Sequence, residues 1–92
     1  MGHKIVWRDE ALDDLERIDA WLSSLEPTQP TTVRARIAAA IDLLERLGDI
    51  GRPGRREGTR ELSVRLAPYV IVYLASGEEL EIVAVYHTAQ DR

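Results

Sequence analysis

The apolar residues of this chain change their period once, and that change limits the fold more than any other feature. Leu12, Leu15, Ile18, Leu22 and Leu25 recur at intervals of three or four, as do Val33, Ile37, Ala40, Ile41, Leu44 and Leu47, so each set lines one face of a helix. Beyond residue 60 the period falls to two. Leu62, Val64 and Leu66 alternate with Ser63 and Arg65, the pattern of a strand with one buried face, and Tyr69 to Leu74 is a continuous β-branched and aromatic run, as in a central strand covered on both faces. Leu80 to Tyr86 supplies a last strand, and Lys4 to Trp7 a short one ahead of the first helix. The pattern predicts an α+β fold in the order strand, helix, helix, strand, strand, strand. A helical hairpin packs on a small antiparallel sheet, with the first strand at an edge or beside the last.

Local signals punctuate these elements. Asp9 is placed to cap the first helix, which should end near Glu26-Pro27. Thr28 or Gln29 can cap the second, with Pro30 in a first turn where its missing amide hydrogen costs nothing, and Gly48 is a natural stop. Ala38 to Ala40 either let the two helices approach closely or serve helix propensity alone. Asp49 to Thr59, dense in Gly and Pro without apolar period, reads as a loop, and Ser76-Gly77-Glu78 as a turn.

Ninety-two residues form one domain, too small for a second core. With 45% hydrophobic and 30% charged residues and no apolar run near the length of a bilayer span, the chain reads as a soluble globular protein. It carries no basic-then-apolar leader, so the cytoplasm is the expected compartment. The absence of cysteine excludes disulfides and thiolate chemistry, and two histidines make a His-rich metal site implausible, so no metal or cofactor is expected.

The net charge of −4 argues against general affinity for nucleic acid, but its distribution is uneven. Seven acids stand against Arg17 alone between Asp9 and Glu26, whereas Arg52, Arg55, Arg56, Arg60 and Arg65 face only Glu57 and Glu61. The arginine segment therefore reads in two ways. It is a solvated loop, with Arg60 paired to a helix acid such as Asp13 or Glu16, or it is a patch whose guanidinium forks meet carboxylates or phosphates of a partner. Trp7 and Trp21 read as core or groove residues, and Tyr69, Tyr73 and Tyr86 as sheet packing. Asp13 and Asp14 point about 100° apart on a helix, so they suit a solvated face better than a shared ligand.

The opening IVWRDEALDDLERIDAWL, the loop LGDIGRPGRREGTRELSV and the strands PYVIVYLASGEELEIVAVYH, in this order and at this length, resemble the RelE/ParE toxin superfamily, nearest its ParE branch. The resemblance spans nearly the whole chain. It implies the toxin of a type II, plasmid-stabilisation type toxin–antitoxin pair, held in a hetero-oligomer with a ParD-like antitoxin whose C-terminal segment folds on binding. ParE-like members poison DNA gyrase, whereas RelE-like members cut mRNA in the ribosome.

Metal-free RNA cleavage needs a proton acceptor, a proton donor and cations around the phosphate. His87, with Arg60 and Arg65, is the candidate catalytic set, and Tyr86 beside His87 is the candidate tyrosine. For a gyrase inhibitor no catalytic residue is expected. The binding candidates are then Arg52, Arg55, Arg56, Arg60 and Arg65, with a groove of Leu15, Trp21, Leu22, Ile37 and Ile41 for the antitoxin. A third reading is a decayed toxin that retains only antitoxin binding.

Overall fold

The computed structural model describes residues 2–25 and 29–89. Its elements are β1 (Lys4–Trp7), α1 (Asp9–Leu25), α2 (Gln29–Leu47), β2 (Arg52–Pro53), β3 (Arg60–Ser63), β4 (Tyr69–Ser76) and β5 (Glu79–His87). The five strands form one sheet in the order β1-β5-β4-β3-β2. The expected α+β architecture is present, but the sheet is mixed. β1 lies at the edge and beside β5, and it runs parallel to it, with Ile5 opposite Leu80 and Trp7 opposite Ile82. A parallel pair needs a long connection, here the whole helical hairpin and the strands that follow it.

Helix α1 begins one residue earlier than its cap signal suggested. The carbonyl of Arg8 accepts from the amides of Ala11 and Leu12, so Asp9 and Glu10 occupy the first turn, where acids favour the helix dipole. The Glu26-Pro27 end of α1 and a cap at Thr28 lie outside the described residues. Helix α2 stops as expected. Gly48 takes φ +84° and its amide donates to the Leu44 carbonyl at 2.9 Å, closing the last turn in a conformation a Cβ would disfavour.

The core lies between the helices and one face of the sheet. Ala11, Ile37, Ala40 and Leu44 pack on Val64, Tyr69, Ile71, Tyr73, Leu80, Ile82 and Val85, with Leu15, Ile18, Val33 and Ile41 partly buried against them. Among the residues whose side chains are described, Leu12, Leu47 and Leu66 of the predicted stripes are exposed. On α1 the buried stripe runs through Ala11 and Asp14 instead, one residue round the helix from Leu12. Of the three alanines only Ala40 is buried, so close packing accounts for that residue and not for Ala38 or Ala39.

A β-bulge sets which side chains face the helices. Val72 lies opposite Ala84 but Tyr73 lies opposite Ile82, which leaves Val83 as the extra residue of β5. Before the bulge, Leu80 and Ile82 face the helices; after it, Val85 does, while Val83, Ala84 and Tyr86 pack with Val70 and Val72 on the far side. The extra residue thus reverses the inward parity of the strand and turns His87 toward α1.

Candidate functional site

The segment from Gly51 to Thr59 is built closely against the sheet. The Gly51 amide donates to the Tyr73 hydroxyl at 2.6 Å, and that hydroxyl donates to Asp49 at 2.8 Å. A Cβ on Gly51 would stand 2.5 Å from the Glu61 carbonyl oxygen, so only glycine fits this approach. The two-residue strand β2 pairs with β3 inside what the sequence read as loop, at the sheet edge where Pro53 forfeits no ladder bond. Glu61, only 6% exposed, organises the rest. Its carboxylate accepts from the Arg55 amide at 3.0 Å, the Tyr86 hydroxyl at 3.3 Å and the Arg52 guanidinium at 3.4 Å.

Most of the loop arginines have intramolecular partners. Arg52 also donates to Ser63. Arg56 forms a two-pronged pair with Glu10 at 2.7 and 3.2 Å, a hydrogen bond that raises its pKa further above the ordinary guanidinium value. Arg60 donates to Asp49 at 3.1 Å and not to Asp13 or Glu16, because it lies opposite Tyr73 at the sheet end where Asp49 enters. Arg56 is therefore a loop arginine that reaches α1. Arg65 is exposed in the turn between β3 and β4.

At the other end of β4 and β5, the bulge brings His87 over α1. Its ring meets Tyr69 edge-on at 5.2 Å and Trp21 at 6.3 Å between centroids. These rings, with Asp14, Arg17, Ile18 and Val85, line an open cleft of about 600 Å³. Asp14 forms part of its floor. It is 2% exposed and accepts from the Val85 amide at 2.9 Å and from Arg17, contrary to the solvated position expected beside Asp13. The spacing of Asp14 and Arg17 fits a helix ion pair, but nothing in the sequence signals that its carboxylate is buried.

The cleft does not assemble the catalytic set proposed from the sequence. His87 is opposite Tyr69 and Arg60 is opposite Tyr73, four residues or about 13 Å further along β4. Arg65 does not line the cleft, and Arg17, absent from the sequence-derived set, supplies its guanidinium. The His87 Nδ1 accepts from the Ala89 amide at 3.0 Å, so in the neutral ring Nε2 carries the proton. Tyr86 lies on the opposite sheet face from His87, with its hydroxyl on Glu61 and its pKa raised by burial and then by the Glu61 charge. Among the described residues no group of three His, Asp or Glu side chains could hold a metal ion.

A second, smaller groove of about 220 Å³ runs between the helices. Leu15, Leu22 and Ile37 line it with Ile18 and Val33, flanked by Asp19 and Arg34, which are themselves hydrogen-bonded. Trp21 belongs to the His87 cleft, 51% exposed, and Ile41 packs against the core without lining either depression. The five apolar binding candidates are thus divided between two surfaces and the core.

Residues 5–92 match the family model described as the ParE toxin of the type II toxin–antitoxin system parDE. The candidate toxin Y4kP of Sinorhizobium fredii is 39% identical over 87 residues, covering 95% of this chain and 90% of that protein. Among solved structures, the chromosomal ParDE toxin–antitoxin system of P. aeruginosa matches with a TM-score of 0.82 at 22% identity, over 92% of this chain and 95% of the other. The RelBE2 toxin–antitoxin complex of Mycobacterium tuberculosis matches with a TM-score of 0.64 at 24% identity, over 95% and 99%. At these identities the two structures speak to the shared fold.

Proposed function

The chain belongs to the ParE toxin family of type II toxin–antitoxin systems, and from that premise we propose that it acts by binding and inhibiting DNA gyrase in the cytoplasm rather than by cutting RNA. One observation carries the choice. His87, the histidine of the cleft, has its Nδ1 engaged by the Ala89 amide, and of the proposed catalytic arginines Arg60 is paired with Asp49 further along β4 while Arg65 does not line the cleft. In-line attack by a 2′-hydroxyl requires an acceptor, a donor and cations within hydrogen-bond reach of one phosphate. Inhibition by binding requires none of these.

Neutralisation falls to a ParD-like antitoxin whose C-terminal segment folds along the toxin. The interhelical groove of Leu15, Leu22 and Ile37 suits an amphipathic helix, whose apolar side chains would cover it. Ordering such a segment costs free energy, which a long contact offsets.

The test is supercoiling and DNA cleavage by purified gyrase with the antitoxin-free protein added, alongside mRNA integrity on translating ribosomes. Lost supercoiling or trapped cleavage complexes with intact mRNA is the expected result. Cut mRNA with unaffected gyrase would overturn the proposal in favour of a nuclease, and activity in neither assay would leave an antitoxin-binding module.

A further inference from the structure

Leu66 occupies a position that the fold itself does not favour. It has φ +61° in the turn between β3 and β4, while every other positive φ among the described residues belongs to a glycine. A branched, bulky residue in that region strains against its own backbone, and glycine or asparagine would sit there more easily. The side chain gains no burial in compensation: it is 74% exposed.

The turn that carries it is tied by backbone hydrogen bonds. The Val64 amide donates to Tyr69 and the Tyr69 amide to Ala67, both at 2.9 Å, and the Thr88 amide ties Pro68 to the end of β5 at 2.8 Å. Val64 is buried in the core and Ala67 packs against it. Leu66 is therefore held outward between two anchored neighbours, with the exposed guanidinium-bearing Arg65 beside it.

We propose that Leu66 is the apolar anchor by which this toxin docks on its folded protein target, entering a pocket whose rim presents a carboxylate to Arg65. The inference rests on the reading that the chain acts by binding a folded protein. An apolar side chain on a convex turn needs a pocket that exists before contact, and a backbone already tied at the turn loses less entropy on binding. A disordered antitoxin segment has no such pocket and is better matched to the concave groove between the helices. Pairing with a second copy through a two-fold axis at this tip would set Arg65 against Arg65. An exposed leucine with one arginine, on a chain of net charge −4, likewise suits neither nucleic acid nor an anionic membrane.

Three proteins test the anchor: wild type, Leu66→Asn, which keeps the turn without the apolar side chain, and Leu66→Met, which keeps an apolar side chain of similar volume. Each is scored for growth arrest on expression alone, rescue by the co-expressed cognate antitoxin, melting temperature and inhibition of purified gyrase. The expected result is a Leu66→Asn protein at least as heat-stable as wild type, needing about tenfold more protein to inhibit gyrase and no longer arresting growth. Leu66→Met should stay within about threefold of wild type, and the antitoxin should still rescue it. Undiminished arrest by Leu66→Asn would overturn the anchor, as would loss of activity accompanied by a lower melting temperature. A wild type that arrests growth through Leu66 but leaves gyrase untouched would overturn the gyrase reading and keep the anchor. A wild type that arrests no growth would overturn both.

Discussion

The carboxylate of Asp14, on α1, accepts the amide of Val85, on β5, at 2.9 Å in a buried position. Val85 lies just past the bulge, so this bond fixes the helix against the stretch of β5 whose inward parity the bulge has reversed. Arg17 closes over the same carboxylate from the cleft. Asp14→Ala leaves a buried backbone donor without its acceptor and should cost about 1–3 kcal/mol. Urea unfolding would show this as a lower midpoint at unchanged slope. Asp14→Asn keeps an acceptor for Val85 and should fall between the two.

Gly51 and Tyr73 make a coupled pair. Gly51→Ala puts a methyl 2.5 Å from the Glu61 carbonyl oxygen and 2.6 Å from the Tyr73 hydroxyl, and should destabilise by about 1–3 kcal/mol. Tyr73→Phe strips Gly51 of its acceptor and Asp49 of a donor, at a similar cost of about 1–3 kcal/mol. Because the hydroxyl is one of the two obstructions to the alanine methyl, the double variant should lose less than the sum of the single losses, read from denaturant midpoints of all four proteins.

Which of these contacts the sequence disclosed depends on how local their causes are. The order of elements was legible because it follows from apolar period, and the end of α2 because Gly48 acts within one turn. The burial of Asp14 was not, since its partner is a backbone amide 71 residues away and a carboxylate on a helix reads as solvent-facing. The bulge was hidden in Ile82 to Tyr86, where every residue is apolar or aromatic and no alternation marks the change of face. That concealment also hid the separation of Tyr86 from His87. Among the arginines, charge density was visible but the carboxylates that meet them were not. Glu10, Asp49 and Glu61 come from three different elements or loops, so a patch on paper is largely a set of internal pairs. Leu66 kept the strand alternation in sequence and left it in space because the chain turns at that residue.

The tyrosines give the pH dependence. Tyr69, Tyr73 and Tyr86 are all pushed above the ordinary phenol value, chiefly by burial, with Asp49 adding to the rise at Tyr73 and Glu61 at Tyr86. A raised folded-state pKa means that the fold favours the protonated phenol. Their contribution to stability is therefore complete below the unfolded value of about 10 and is lost as pH rises through the folded values. Alkaline titration followed by tyrosinate absorbance should show the native protein ionising later than the same protein in urea. Superimposed curves would contradict the burial of these hydroxyls.

His87→Ala separates the two modes of action most directly. The ring contributes edge contacts to Trp21 and Tyr69, so its removal should cost about 0.5–1.5 kcal/mol and leave the far face of the sheet unaltered. If the protein acts by binding gyrase, the variant should still arrest growth and inhibit supercoiling to within about threefold, since general acid–base loss, typically about 100–10,000-fold, has no step to affect. Arg60→Ala serves as its companion. It breaks only the exposed pair with Asp49, worth about 0–1 kcal/mol, and should behave likewise. A folded His87→Ala protein that binds its antitoxin but arrests no growth would instead require the imidazole in chemistry. Because the Ala89 amide engages Nδ1, that chemistry would have to pass through Nε2 at the cleft, where Arg17 and not Arg60 is the neighbouring cation.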